Sequence, residues 1–156
     1  MRRPKNAAQQ TDRYSGKKKR HTVKNVVVVA YGTGKVVGLT ETVGGKNHDK
    51  PLADNIPWPE ESVVLGDSGF QGYRPEDVHV AIPIKKPRGK DLDDEAKAAN
   101  KSLSKVRVRV EHSIAGIKRC NIVSDVNRNY KHGFADTSMN VACGLHNLRV
   151  STRRTA

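Results

Sequence analysis

Four consecutive valines, Val26–Val29, constrain this chain more than any other feature. Valine branches at Cβ, which restricts χ1 against a helical turn and suits a pleated strand. Successive side chains on a strand point to opposite faces, so an unbroken apolar run leaves no face for solvent. The run therefore predicts a strand covered on both sides, within HTVKNVVVVAY (residues 21–31). Such a strand belongs in a layered α/β architecture. Gly32 and Gly34 supply a turn, and KVVGLTETV (residues 35–43) reads as a second strand returning antiparallel.

The remaining elements follow from pattern and punctuation. Asp49 can cap a short helix over 50–55, ended by Pro57 and Pro59. Val63, Val64 and Leu65 read as a short buried strand that stops at Gly66-Asp67. VHVAIPI (residues 78–84) reads as another, with Pro83 at a sheet edge or strand end. From about Asp94 to Arg119 the spacing predicts the longest helix. Ala99, Leu103, Val106, Val110, Ile114 and Ile117 recur at intervals of three and four, which outweighs the local RVRV alternation. Residues 120–135 look irregular, and 136–150 read as a last amphipathic helix. A chain of 156 residues suits one domain. It divides into a basic arm (1–20), a folded body (21–150) and a disordered tail (151–156).

The formal net charge of +13 is unevenly spread. Residues 1–24 hold nine Lys and Arg against one acid, Asp12; residues 101–131 hold eight against Glu111 and Asp125. Two basic blocks point to a polyanionic partner, most commonly nucleic acid; a solvated basic surface is the simpler reading. Lys17, Lys18, Lys19 and Arg20 form an unbroken run suited to duplex phosphates. Aromatic residues are only 4%, which argues against a single-strand reader that stacks bases. No run of 18 apolar residues predicts a membrane span, and residues 1–20 lack a signal-peptide core, so a cytoplasmic location and no membrane partner are expected. Cys120 and Cys143 form no CxxC and read as reduced thiols, and the six histidines show no ligand spacing.

Glu111 is the one acid in RVRVEHSIAGIKR (residues 107–119). On a helical wheel Ser104, Arg107, Glu111 and Lys118 fall within about 60° of each other, beside the apolar stripe. An exposed acid making i,i+4 pairs explains this at a few tenths of a kcal/mol. A metal ligand flanked by phosphate-binding bases also explains it, provided other carboxylates converge on the same site. Asp67 is one candidate, because it follows a buried strand directly; the competing reading of Gly-Asp-Ser-Gly is a plain turn. Asp49 is a second, against its capping role.

The chain resembles the DDE transposases of bacterial insertion sequences, in the group related to Harbinger-type elements. The stretches that carry the resemblance are YSGKKKRHTVKN (14–25), GKNHDKPLA (45–53), LGDSGFQGY (65–73), IPIKKPRG (82–89), LSKVRVRVEHSIAGIKR (103–119) and CGLHNLRV (143–150), in the family's order. The resemblance implies a ribonuclease-H-like, retroviral-integrase-type mixed sheet with flanking helices. It implies Mg²⁺- or Mn²⁺-dependent cleavage and transfer of DNA strands, with transposon ends and target DNA as partners. It makes Asp67 the second catalytic aspartate and Glu111 the catalytic glutamate, both metal ligands, with Asp49 beside them in a recurrent His-Asp pair. Arg107, Glu111 and Lys118 keep the spacing of the family's Tyr-x₂-Arg-x₃-Glu-x₆-Lys signature, with Ser104 in the tyrosine position.

The family's first catalytic aspartate lies on the domain's first strand, just before the stretch that begins here at Arg3. Asp12 has no buried strand before it and is a poor substitute. The expectation is therefore a carboxyl-terminal part of the catalytic domain, lacking its first strand and inactive alone. An upstream transposase fragment or a second copy would supply that strand. The alternative is a basic nucleic-acid-binding protein without catalysis; a remnant with no biochemical role is a third reading. Metal binding at Asp67 and Glu111 separates the first from the others.

Overall fold

A computed structural model describes residues 1–129 and 131–153. The architecture is mixed α/β, built from short strands and flanking helices. The chain opens with helix α1 (Ala7–Arg13) and the two-residue strands β1 (Tyr14–Ser15), β2 (Arg20–His21) and β3 (Val23–Lys24). Next come β4 (Val27–Val29), β5 (Val36–Leu39), β6 (Val43–Gly44) and helix α2 (Asp49–Ala53). Strand β7 (Ser62–Leu65), a 3-10 turn over Ser68–Phe70 and β8 (Val78–Ala81) precede the helices α3 (Asp94–Lys118), α4 (Asn121–Ser124) and α5 (Phe134–Ser151). No described helix is long and apolar enough to cross a membrane.

The strands form four separate two-stranded ladders rather than one continuous sheet. The valine run gives β4, which pairs antiparallel with β5 as the hairpin pattern requires. The return strand is shorter than its sequence pattern. Thr40 Oγ accepts the Val26 N–H at 2.9 Å and Asp136 takes the Thr42 N–H at 2.6 Å, which ends the ladder. Val43 and Gly44 then pair with β3 instead. Strands β7 and β8 are parallel. Residues 1–20, polar and without periodicity, contain α1, whose N-cap Asn6 accepts the Gln9 N–H. Asp12 packs on Gly44 and accepts from Asn47 Nδ2 at 3.0 Å, a structural role. The tail expected to be disordered falls partly outside the described residues, from 154 to 156.

Helix α3 forms where the three-and-four spacing predicts it, with Asp93 accepting the Ala96 N–H as N-cap and Asp94 and Glu95 in the first turn. Ile117, Ala142 and Cys143 are the buried centre of the core, joined by Val27, Val36, Leu39, Val123 and Met139. Helix α5 also covers the outer edge of β5. Asn147 Oδ1 accepts the Val36 N–H at 2.7 Å and its Nδ2 donates to the Val36 carbonyl at 2.8 Å, as a neighbouring strand would. Beside them, His146 Nε2 lies 2.9 Å from the Gly34 carbonyl.

The other edge of the hairpin is treated differently. Thr40 donates to the Val26 carbonyl and Ala30 to the Lys35 carbonyl, so the alternation of an antiparallel ladder turns the N–H and C=O groups of Val27 and Val29 away from β5. Gly66 donates to the Ala81 carbonyl, and the same reasoning turns those of Val63 and Leu65 away from β8. An apolar groove of about 350 Å³ lies between β4 and β7, floored by Val106 and Val110 of α3, with no charged residue in its lining.

Candidate functional site

Asp67 stands immediately after β7, and the chemistry of the following turn fixes it there. Its Oδ1 accepts the Gly69 N–H at 2.7 Å, starting the 3-10 turn. Tyr73 anchors this loop from below: it is 4% exposed, accepts from Trp58 Nε1 at 2.7 Å, donates to the Ala53 carbonyl at 2.8 Å and meets Phe70 edge-on. The bond to Ala53 also ties α2 to the loop, which brings Asp49 alongside.

Gly69 marks where the two aspartates converge. A Cβ placed on it would lie 2.9 Å from Asp67 Oδ1 and 3.5 Å from Asp49 Oδ2. Asp49 does not cap α2; His48 occupies the N-cap without a side-chain bond, and Asp49 sits in the first turn. Its carboxylate faces outward and accepts from Lys24 Nζ at 3.0 Å. Capping a five-residue helix is worth about 1 kcal/mol and a part-exposed ion pair up to about 1 kcal/mol, so the two are comparable and the contact with Lys24 can replace the cap.

Glu111 lies on α3 at the border of its buried face, as the wheel predicts, with a side chain 64% exposed. Arg107 Nη2 stands 4.0 Å from its Oε1, a loose ion pair one turn away. No hydrogen bond or ion pair joins Glu111 to Asp67 or Asp49 among the described residues. Asp67 and Asp49 thus both approach Gly69, while the partner that Glu111 meets is Arg107.

The basic residues divide between two places. Lys17, Lys18 and Lys19 form the exposed turn between β1 and β2, leading into Arg20. A cleft of about 360 Å³ brings Lys18, Arg20 and Lys24 together with Lys118 from the far end of α3. The two basic blocks, separate in sequence, thus share one surface. Lys24 belongs to this cleft and also holds Asp49, so it links the basic surface to the carboxylate pair. Sequence reasoning missed Lys24; the signal was a lone cation inside a strand pattern, in the stretch HTVKN.

Carboxylate oxygens suit a hard divalent cation such as Mg²⁺ or Mn²⁺, which takes one or two carboxylates and fills its shell with water. Asp49 and Asp67 fit that donor chemistry. Among the described residues no group of three or more His, Cys, Asp and Glu side chains is arranged to hold a metal ion.

Comparison with known proteins places the chain in a family. The chain is 32% identical over 142 residues to a protein from Microchaete diplosiphon described as a probable transposase for insertion sequence element IS702. The match covers 90% of this chain and 51% of the relative, so the chain spans about half the length of the curated relative it matches. No solved structure matches. The family described as DDE superfamily endonuclease matches residues 1–147, nearly every element above from α1 to α5, and the chain belongs to that family.

Proposed function

We propose that this chain is the carboxyl-terminal part of a transposase catalytic domain, a DNA-binding half-site that does not cleave DNA alone. The observation that carries the reading is the convergence of Asp49 and Asp67 beside a basic cleft. Asp67, Asp49 and, after a shift of its exposed side chain, Glu111 would hold a divalent cation. When bound, such a cation polarises a phosphodiester and offsets its charge. The chain's own part is to bind and orient. Lys17, Lys18, Lys19, Arg20, Arg107 and Lys118 grip the duplex backbone, and Lys24 holds Asp49 toward the cleft until a cation competes for it.

The groove between β4 and β7 supports a ribonuclease-H-like sheet with one strand missing. Two strand edges face an uncharged trough, each with backbone groups free to pair, and a strand spans four residues in about 13 Å. We infer that an extended apolar segment from an upstream fragment or a second copy fills it and carries the further carboxylate.

Manganese titration followed by electron paramagnetic resonance tests the site. Asp67→Asn and Asp49→Asn should each weaken binding by at least about tenfold. Unchanged affinity in both would remove the site and favour a non-catalytic DNA binder. Nicking of duplex DNA by the purified chain, lost on Glu111→Gln, would overturn the claim of inactivity.

A further inference from the structure

A second cavity, of about 510 Å³, lies between α3, α5 and the turn joining β4 to β5. Arg109, Arg119, Arg149, Arg153, His112 and His146 line it, and no acidic residue does. None of the four arginines pairs with a carboxylate among the described residues. Four guanidinium groups around one cavity repel each other, and a folded protein relieves that repulsion either by solvating them or by holding an anion.

Two features distinguish this cavity from a solvated basic surface. The first is preorganisation. The Gly34 carbonyl can only accept, so His146 Nε2 carries the proton in their 2.9 Å contact. Arg149 Nη2, 3.1 Å away, can only donate, so His146 Nδ1 accepts from it. His146 is 4% exposed and thus clamps Arg149 from inside the protein. Arg109 is held from the other side, its guanidinium 4.9 Å from the centre of the Tyr31 ring. The second feature is an unmet donor. Arg149 Nε is buried without a hydrogen-bond partner. A buried charged donor left without an acceptor costs on the order of 1–3 kcal/mol or more, which an anion would recover once a small turn of the guanidinium brings Nε to the cavity wall.

Gly116 lets α5 come close enough to α3 for this clamp, because a Cβ there would lie within 2.5 and 2.6 Å of His146 Nδ1 and Arg149 Nη2. Planar guanidinium groups match the oxygen pairs of a phosphate.

We propose that this pocket binds a phosphate group, with the backbone phosphodiester of nucleic acid as its source. It is separate from the Lys18–Arg20–Lys118 cleft. Arg109 and Lys118 stand about 180° apart around α3, so the two sites lie on opposite sides of that helix. The nucleic-acid source rests on the DNA-binding reading above; the phosphate chemistry does not.

The test uses the whole chain, with a duplex of about twenty base pairs in one arm and inorganic pyrophosphate in the other. Arg119→Gln/Arg153→Gln removes two exposed, unpaired arginines and spares the clamp. The log–log salt slope of duplex binding should fall by up to about 2 units, at about 0.9 per phosphate contact. The NMR signal of the Arg149 Nε–H should shift on adding duplex. If wild type and double variant bind duplex with equal slopes and the signal stays still, the pocket is overturned while the DNA reading stands. If duplex does not bind but pyrophosphate shifts the signal, and the double variant weakens it, the pocket takes a free phosphate compound and the DNA reading falls. No shift with either ligand overturns the proposal.

Discussion

Gly116→Ala isolates the contact between α3 and α5. Two terms of opposite sign compete. Glycine inside a helix costs about 1 kcal/mol relative to alanine, so propensity alone predicts a gain. Against it, the new Cβ would sit 2.5 Å from His146 Nδ1, 2.6 Å from Arg149 Nη2 and 2.8 Å from His146 Cε1. Ordinary contacts lie near 3.5–4.0 Å, so each pair is about 1 Å too close. Relief needs either α5 to move off α3 or His146 to swing out. Separation overpacks the seam next to Ile117 and Ala142, at about 1–3 kcal/mol. Swinging out breaks the bond to Gly34 and leaves a buried polar group unpaired, at about 1–3 kcal/mol. The net loss should be about 0–2 kcal/mol after the propensity gain of about 1 kcal/mol. Gly144→Ala is the matched control: it lies within α5 with nothing within 4 Å of its added Cβ, so it should gain up to about 1 kcal/mol. Urea unfolding followed by circular dichroism reads both against wild type. A Gly116→Ala variant as stable as Gly144→Ala would refute the close α3–α5 approach and with it the His146 clamp.

Changing Lys17, Lys18, Lys19 and Arg20 to Ala should lower the salt slope of duplex binding by up to about 3–4 units, and an unchanged slope would show that this turn does not touch DNA. Burial holds the Cys143 thiol above its ordinary pKa, so it favours the fold while protonated. That contribution is complete below the ordinary thiol pKa of about 8.5 and is lost as pH rises through the higher folded value. The urea midpoint of wild type should therefore fall more steeply above about pH 8.5 than that of Cys143→Ala; parallel curves would deny the effect. Val63 is 68% exposed on the open edge of β7, so Val63→Lys should raise the protein concentration at which light scattering sets in, with little effect on the urea midpoint. Scattering that starts at the same concentration would show that this edge is not where chains associate.

The parts of the fold legible in the sequence are those written in local periodicity. The valine run, the three-and-four spacing of α3 and the short strand before Asp67 all came through as elements, because each depends on neighbours within one element; the full burial expected of the two strands did not, since Val27–Val29 are only half-buried and Val63 is 68% exposed beside an open groove. Helix α1 did not, since it has no apolar stripe and is fixed by Asn6 and by packing on β6. His146 read as one of six scattered histidines, yet it lies on the same face of α5 as the buried Ala142 and Cys143. A polar residue at an apolar position of a helix was the available signal. For the site, the sequence named Asp49, Asp67 and Glu111; that Asp49 and Asp67 both approach Gly69 appears only in the fold. The Asp49–Lys24 pair and the meeting of Lys18, Arg20 and Lys118 were not, because they depend on how separate ladders are set against each other.

The stitching of α5 onto the β4–β5 hairpin also sets a timetable for synthesis. His146 closes on Gly34 across 112 residues of chain, and Asn147 on Val36 across 111. At about 5–20 residues per second, the ribosome takes roughly 6–22 seconds to make what lies between. Through that interval the most valine-rich segment of the protein is made while its partner helix is not, so the outer edge of β5 has no Asn147 to cover it. A message truncated before residue 146 would leave that edge open for good.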